Sequence, residues 1–507
     1  MSQFETEKAS SALETAPATG SFSSSDLEQL ADPDAGLSEA QRKEVERKLL
    51  RKLDLALIPW LCLLYLICFL DRTNIGNAKI AHLERDLGID PKSFKYSATL
   101  ITFFVSYAIF EALSNFLLKR WKPSRLIPAI MILWGCCMLG MGFVKNWSGL
   151  MAARWFLGTA EAGLFPGVNY YLSCWYKRNE FGVRAAIFFS AAALAGSFGG
   201  LLAAGIQKMD GMRGIAGWAW IFIIEGSLTI CVGIVSFWMV HDFPDEARFL
   251  SPEDRTRVLL RLKNDNQSAA RHEDFKWEYA LAAVRDWKTY CGMVIYMGSV
   301  MPLYSFSVFL PTIIQSMSFT SPDDIIRNQL LSVAPYALAA VLTVVVGFLS
   351  DRFQRRGVFV MGSAVVAAVG FVMLISSTNP AVQYAGTFLG AMGVYSPIPL
   401  TIVWVSNNVE GVYKRGIVLG MVIGWGNLNG VVSSVIYRSP PRYYEGHGTI
   451  LAYLVVCLFG GSLLYSAALR KENARRRRGD RDKWVAGMTE AEINGLGDKR
   501  PDFLYTL

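Results

Sequence analysis

The chain has 507 residues, a net charge of +8, 52% hydrophobic residues and only 18% charged residues, with a mean hydropathy of +0.30. Ordinary soluble domains carry about 25% charged residues, so this balance excludes a string of soluble domains and points to a polytopic membrane protein. The basic residues fall in short clusters between apolar segments, a pattern of membrane topology and not of nucleic-acid binding.

Residues 1–45 read as a disordered tail. The first 35 are rich in Ser, Ala and acids and lack the apolar core of a signal peptide. A charged helical run then leads into the membrane, with Ser38 and Gln41 spaced as a capping box. Apolar segments near the ~20 residues needed to cross a bilayer follow at 53–76, 96–118, 124–144, 149–174, 182–204 and 216–239. A polar connection, 240–285, separates them from six more at 286–315, 329–350, 357–376, 382–405, 415–437 and 448–469. The expected architecture is therefore all-α: twelve transmembrane spans in two six-helix halves, 46–239 and 286–470, with a basic tail at 471–507. Lys and Arg concentrate before span 1, in alternate loops and after span 12, which places both termini and the central connection in the cytoplasm. The eight cysteines lie mostly inside apolar runs, without metal-ligand spacing, and read as small core residues.

An ionisable group inside a bilayer costs about 2.5–3.5 kcal/mol on insertion scales, so each one needs a reason. Span 1 ends in FLDRTNIGNAKI, where Asp71 and Arg72 follow an uncharged run. Either the helix stops at Cys68 and the pair faces water, or TNIGNA continues it among packed helices; its small and polar residues favour the second. Glu111 falls in span 2 and Glu225 in span 6. Span 4 carries Arg154 and Glu161, two helical turns apart on one face with Gly158 between them, and Pro166 follows. Arg154 alone could snorkel to the membrane edge, but Glu161 is deep by any placement. The second half offers Tyr304, Asn407, Asn408, Asn427 and Asn429 in place of charges. Each amide can serve as interhelical glue; together they suggest an asymmetric site between two bundles.

The segment GFLSDRFQRRG between spans 8 and 9 resembles the Gly-x-x-x-Asp-Arg-x-x-Arg-Arg loop motif of the major facilitator superfamily, carried here by Gly347, Asp351, Arg352, Arg355 and Arg356. Its counterpart NFLLKRWKPSR, between spans 2 and 3, keeps only the basic residues. That departure, with FLDRTNIGNA, RWFLGTAEAGLFPG, FLPTII and WVSNNVEGVYKR, resembles the anion:cation symporter branch, and within it the fungal allantoate, nicotinate and pantothenate permeases. The resemblance covers about residues 45–470. It implies two halves that rock about a central site, with Asp71 and Glu161 carrying protons, Arg72 and Arg154 binding a substrate carboxylate, and Asn427 completing the site; Tyr304, a polar mid-span residue of the second half, is counted with them as a substrate contact. Arginine suits such a role because its planar, permanently charged fork binds carboxylates bidentately. The expected protein is a monomeric, proton-coupled importer of a small organic anion such as nicotinate, pantothenate, allantoate or tartrate, in the lipid bilayer of the plasma membrane. It needs no cofactor and is not an enzyme, since no Ser-His-Asp set, metal cluster or phosphate loop occurs. An exporter is the runner-up, disfavoured because span 5 lacks a Gly-Pro motif; a non-transporting nutrient sensor is a third reading.

Overall fold

A computed structural model describes residues 32–90, 93–264, 277–317, 324–437, 442–489, 493 and 496–507. The first 31 residues, and with them most of the expected N-terminal tail, lie outside the described residues. Ten helices are long and apolar enough to cross a membrane among those described. Span 2, Lys95–Arg120, and span 4, split into Trp147–Glu161 and Leu164–Ser173, complete the twelve. Span 2 carries Glu111 inside its apolar run, and span 4 breaks at Ala162–Gly163, just before Pro166. Proline removes an amide donor and crowds the carbonyl four residues back, so the sequence itself dictates the break.

Span 1 is one helix from Glu39 to Ile80, opened by the expected Ser38–Gln41 capping box. Its early turns are anchored on one face of the bundle: Lys52 pairs with Asp254, and Arg261 of helix Pro252–Asn264 reaches both Glu46 and Glu180. The central connection therefore lies beside the start of span 1.

Among the described residues several helix pairs join the halves, three of them near the residues singled out above. Span 5 (Arg178–Ile206) runs against span 8 (Ile325–Phe353) along its length. Ser197 donates to the Val333 carbonyl at 2.9 Å, and a Cβ on Gly200 would sit 2.7 Å from the Gln329 carbonyl oxygen. At the other end of the same pair, a Cβ on Gly182 would overlap the Asp351 carboxylate, which is held by Arg356 at 2.8 Å. The loop motif thus braces the opposite half with Asp351, while Arg352 and Arg355 stay exposed. Gly347 lies against Ala186. Span 1 meets span 7 (Trp287–Gln315) where Gly76 abuts the Val308 carbonyl, and span 2 meets span 11 (Val412–Leu428) near Glu111.

The last residues of the chain fold back onto the second half. Trp404 and Asn408 donate to the Thr506 carbonyl at 2.9 and 3.0 Å. Asn473 exchanges two hydrogen bonds with the Tyr505 backbone. Asp498 lies buried between Lys288 and Lys414.

Candidate functional site

Span 1 carries its helix through Asp71 and Arg72 without a break, and both side chains are buried. Adjacent helical residues point about 100° apart, and the two go separate ways. Arg72 faces the junction of the halves. Its Nε and Nη2 both reach Glu161 Oε1, at 2.8 and 2.5 Å. Its Nη1 donates to the Tyr304 hydroxyl at 2.8 Å. Tyr304 in turn donates to Asn427 Oδ1 at 2.6 Å, and Asn427 Nδ2 donates to Glu111 Oε2 at 3.0 Å. Cys68 adds its thiol at 3.1 Å to the same Glu161 oxygen. One chain of hydrogen bonds therefore runs from span 4 through spans 1, 7 and 11 to span 2, crossing between the halves twice.

The walls of this site are aromatic. The Arg72 guanidinium carbon lies 4.8 Å from the Tyr107 ring centre and 5.5 Å from those of Phe103 and Tyr304. Such faces favour a desolvated cation. Arg72, Glu161, Tyr304, Asn427 and Glu111 are all almost wholly buried, so the site is closed on both sides in this conformation.

Arg154 is different. It is 1% exposed, yet its Nε and Nη2 have no hydrogen-bond partner, and no ion pair holds it among the described residues. The Phe103 ring lies 5.9 Å from its guanidinium carbon. Gly158, between Arg154 and Glu161, lets span 2 approach until a Cβ there would overlap Ser106 Oγ and the Phe103 carbonyl. Glu161 keeps a second oxygen, Oε2, free as well. A buried cation without a counter-charge is costly. This one sits on the same short helix as the carboxylate that Arg72 holds.

Asp71 faces the interior of the first half. Its Oδ2 accepts from Trp134 Nε1 of span 3 at 3.0 Å and from Thr229 Oγ of span 6 at 2.7 Å. The structure thus brings Arg72, Glu161, Tyr304 and Asn427 together, leaves Arg154 unpaired beside them, and sets Asp71 behind them. Neither Arg–acid set is an internal pair; the ion pair is crosswise, from span 1 to span 4. Glu111, Glu225, Trp134 and Thr229 had no role assigned from sequence. The signal for the two glutamates was their depth in apolar segments; nothing in the sequence marks the indole or the hydroxyl.

A family model described as Major Facilitator Superfamily matches residues 61–434. The chain is 33% identical to the MFS-type transporter cnsO of Penicillium expansum, covering all of this chain and 98% of that one. It is 32% identical to the major facilitator-type transporter hxnP of Emericella nidulans, over 92% and 94% of the two chains. It is also 32% identical to the high-affinity nicotinic acid transporter of Saccharomyces cerevisiae, over 91% and 85%. Among solved structures, the proton:xylose symporter XylE superposes with a TM-score of 0.58 at 14% identity, covering 82% of this chain and 95% of that one. A bacterial homologue of the lysosomal transporter Spinster gives 0.57 at 14% identity, over 82% and 96%.

Proposed function

The chain belongs to the major facilitator superfamily and is a multi-pass membrane transporter, and on that premise we propose that it imports a small organic carboxylate together with protons. The observation that carries this reading is Arg154: a fully buried guanidinium with unsatisfied donors, close to a second arginine already committed to a carboxylate. An incoming carboxylate satisfies Arg154 bidentately. It also competes with Glu161 for Arg72, and a displaced Glu161, alone in an apolar site, takes a proton. Substrate and proton thereby enter together. Asp71 serves as a further proton carrier behind the anion site. Tyr304 and Asn427 report the state of Arg72 to the second half, and the loop motif around Asp351 closes the cytoplasmic side as the halves rock.

The nicotinic acid transporter among the relatives makes an aromatic monocarboxylate the first substrate to try, and the aromatic walls around Arg72 suit a flat ring. The chain acts in the plasma membrane as a monomer with both termini in the cytoplasm. The test is uptake of radiolabelled nicotinate, pantothenate, allantoate and tartrate by a transporter-null host, at acidic and neutral pH, with and without a protonophore. Accumulation of one acid that is stronger at acidic pH and lost with the protonophore is the expected result. Uptake indifferent to both, or net efflux, contradicts the reading.

A further inference from the structure

Behind span 1, on the side turned away from Arg72, two carboxylates are buried together. Asp71 is fully buried and Glu225, in span 6 (Gly217–Met239), is 2% exposed. Among the described residues only neutral donors reach them: the Trp134 indole and the Thr229 hydroxyl at Asp71 Oδ2, and the Asn74 amide at Glu225 Oε2. Their other oxygens, Asp71 Oδ1 and Glu225 Oε1, are buried with no partner, as is Asn74 Oδ1. The charged groups that act on Asp71 from span 4 are Glu161 and Arg154, neither of them bonded to it. The charged group that acts on Glu225 is Asp71 itself.

Thr229 sharpens the point. Its Oγ lies 2.7 Å from Asp71 Oδ2 and 2.9 Å from the Glu225 main-chain carbonyl oxygen. A hydroxyl owns one proton. When Thr229 donates to the carbonyl one turn back, as threonines in helices commonly do, the contact to Asp71 Oδ2 needs a proton from the carboxyl. Three orphaned acceptor oxygens around the same spot lack a donor in the same way. Two like charges with no bonded counter-ion in an apolar bundle disfavour double ionisation. One oxygen of each carboxylate is already filled by a hydrogen-bond donor, an arrangement that leaves room for a proton and not for the oxygen cage of a metal cation.

We infer that Asp71 and Glu225 form an acid pair that holds at least one proton at neutral pH, inside the first half and separate from the anion site at Arg72 and Arg154. Glu225 is then one half of a proton-holding pair. The meaning of that proton for transport rests on the function proposed above, but its presence does not.

Infrared spectroscopy of the purified full-length chain tests it. A protonated carboxyl has a C=O stretch above the amide band, and it shifts on deuteration. The expected spectrum at neutral pH shows such a band. The band is lost in the double variant Asp71→Asn/Glu225→Gln, shifted or lost in each single variant, and retained in Glu161→Gln. Carbon-13 labelling of aspartate or glutamate carboxyls in the unmutated chain moves the same band, and Glu111→Gln, which removes another buried carboxyl held by an amide, leaves it in place. No band in the unmutated chain, or one untouched by both labels, overturns the inference. A band abolished by sodium chloride but not by choline chloride overturns it too, in favour of a metal cation. An intact band in a chain that transports no carboxylate supports the acid pair and faults only the transport reading.

Discussion

Arg154 is the residue on which the anion site depends. A charge-assisted hydrogen bond contributes about 1.5–3 kcal/mol, and each 1.4 kcal/mol is about tenfold in affinity. Arg154→Gln is therefore expected to weaken carboxylate binding roughly ten- to hundredfold, and Arg154→Lys to rescue it only in part, because a point charge lacks the bidentate fork. Equilibrium binding of the transported acid to the purified variants checks this. Tyr304→Phe probes the link between the halves. It strips a partner from Arg72 Nη1 and from Asn427 Oδ1, both buried, and a buried polar atom left unpaired costs about 1–3 kcal/mol. The expected outcome is a lower melting temperature, with part of the loss recovered when the acid is bound. At this scale the sequence was informative about which residues are costly and silent about whom they meet. Asp71, Arg72, Arg154 and Glu161 stand out because charge interrupts apolar runs. The crosswise Arg72–Glu161 pair, and the Tyr304 hydroxyl 232 positions away from Arg72, depend on how helices from distant parts of the chain are laid together.

Among the elements, the docked C-terminal segment is the one that sequence reading left as a basic tail. Residues 497–507 show no apolar period to announce a packed structure. Yet Asp498, 2% exposed, is gripped by Lys288 and Lys414, and Asp286 completes a buried quartet of balanced charge. Burial works to raise the Asp498 carboxyl, but the two ammonium groups outweigh it and hold it below its ordinary value. The sign follows from linkage. A carboxyl with a depressed folded value contributes stability that is complete above its unfolded value of about 3.9 and is lost as pH falls through the folded one. The strap is thus expected to stay docked across the neutral range and to release only in strong acid. Asp498→Asn removes a charge from a buried network, a change that costs about 3–5 kcal/mol when a pair is broken outright. It is expected to expose the C-terminus to limited proteolysis at neutral pH, where the unmutated chain resists. Span 4 shows the opposite case: its break was legible, because Pro166, three residues after Gly163, cannot continue the hydrogen-bond ladder.

For the whole molecule, the twelve-helix plan in two halves was legible from hydropathy and from the alternation of basic loops, while the closed state was not. Closure rests on a few close approaches between halves. Gly76 meets the Val308 carbonyl and Gly200 meets the Gln329 carbonyl toward one end, and Gly182 meets Asp351 toward the other. Packed interfaces switch between discrete arrangements and do not deform continuously. An added methyl should therefore open the end where it is placed. Gly76→Ala is expected to raise thiol labelling of a cysteine placed near Ile80, and Gly182→Ala to raise labelling near Arg352, each without the other. Uniform labelling in both variants would contradict a rocking pair of halves. The central claim, that two buried arginines take a carboxylate while the displaced Glu161 takes a proton, is tested most directly in proteoliposomes with an imposed pH gradient. Uptake of the radiolabelled acid is compared for the unmutated chain, Arg154→Gln and Glu161→Gln. The account predicts accumulation above equilibrium by the unmutated chain, none by Arg154→Gln, and exchange without proton-driven accumulation by Glu161→Gln. Undiminished accumulation by either variant would contradict it.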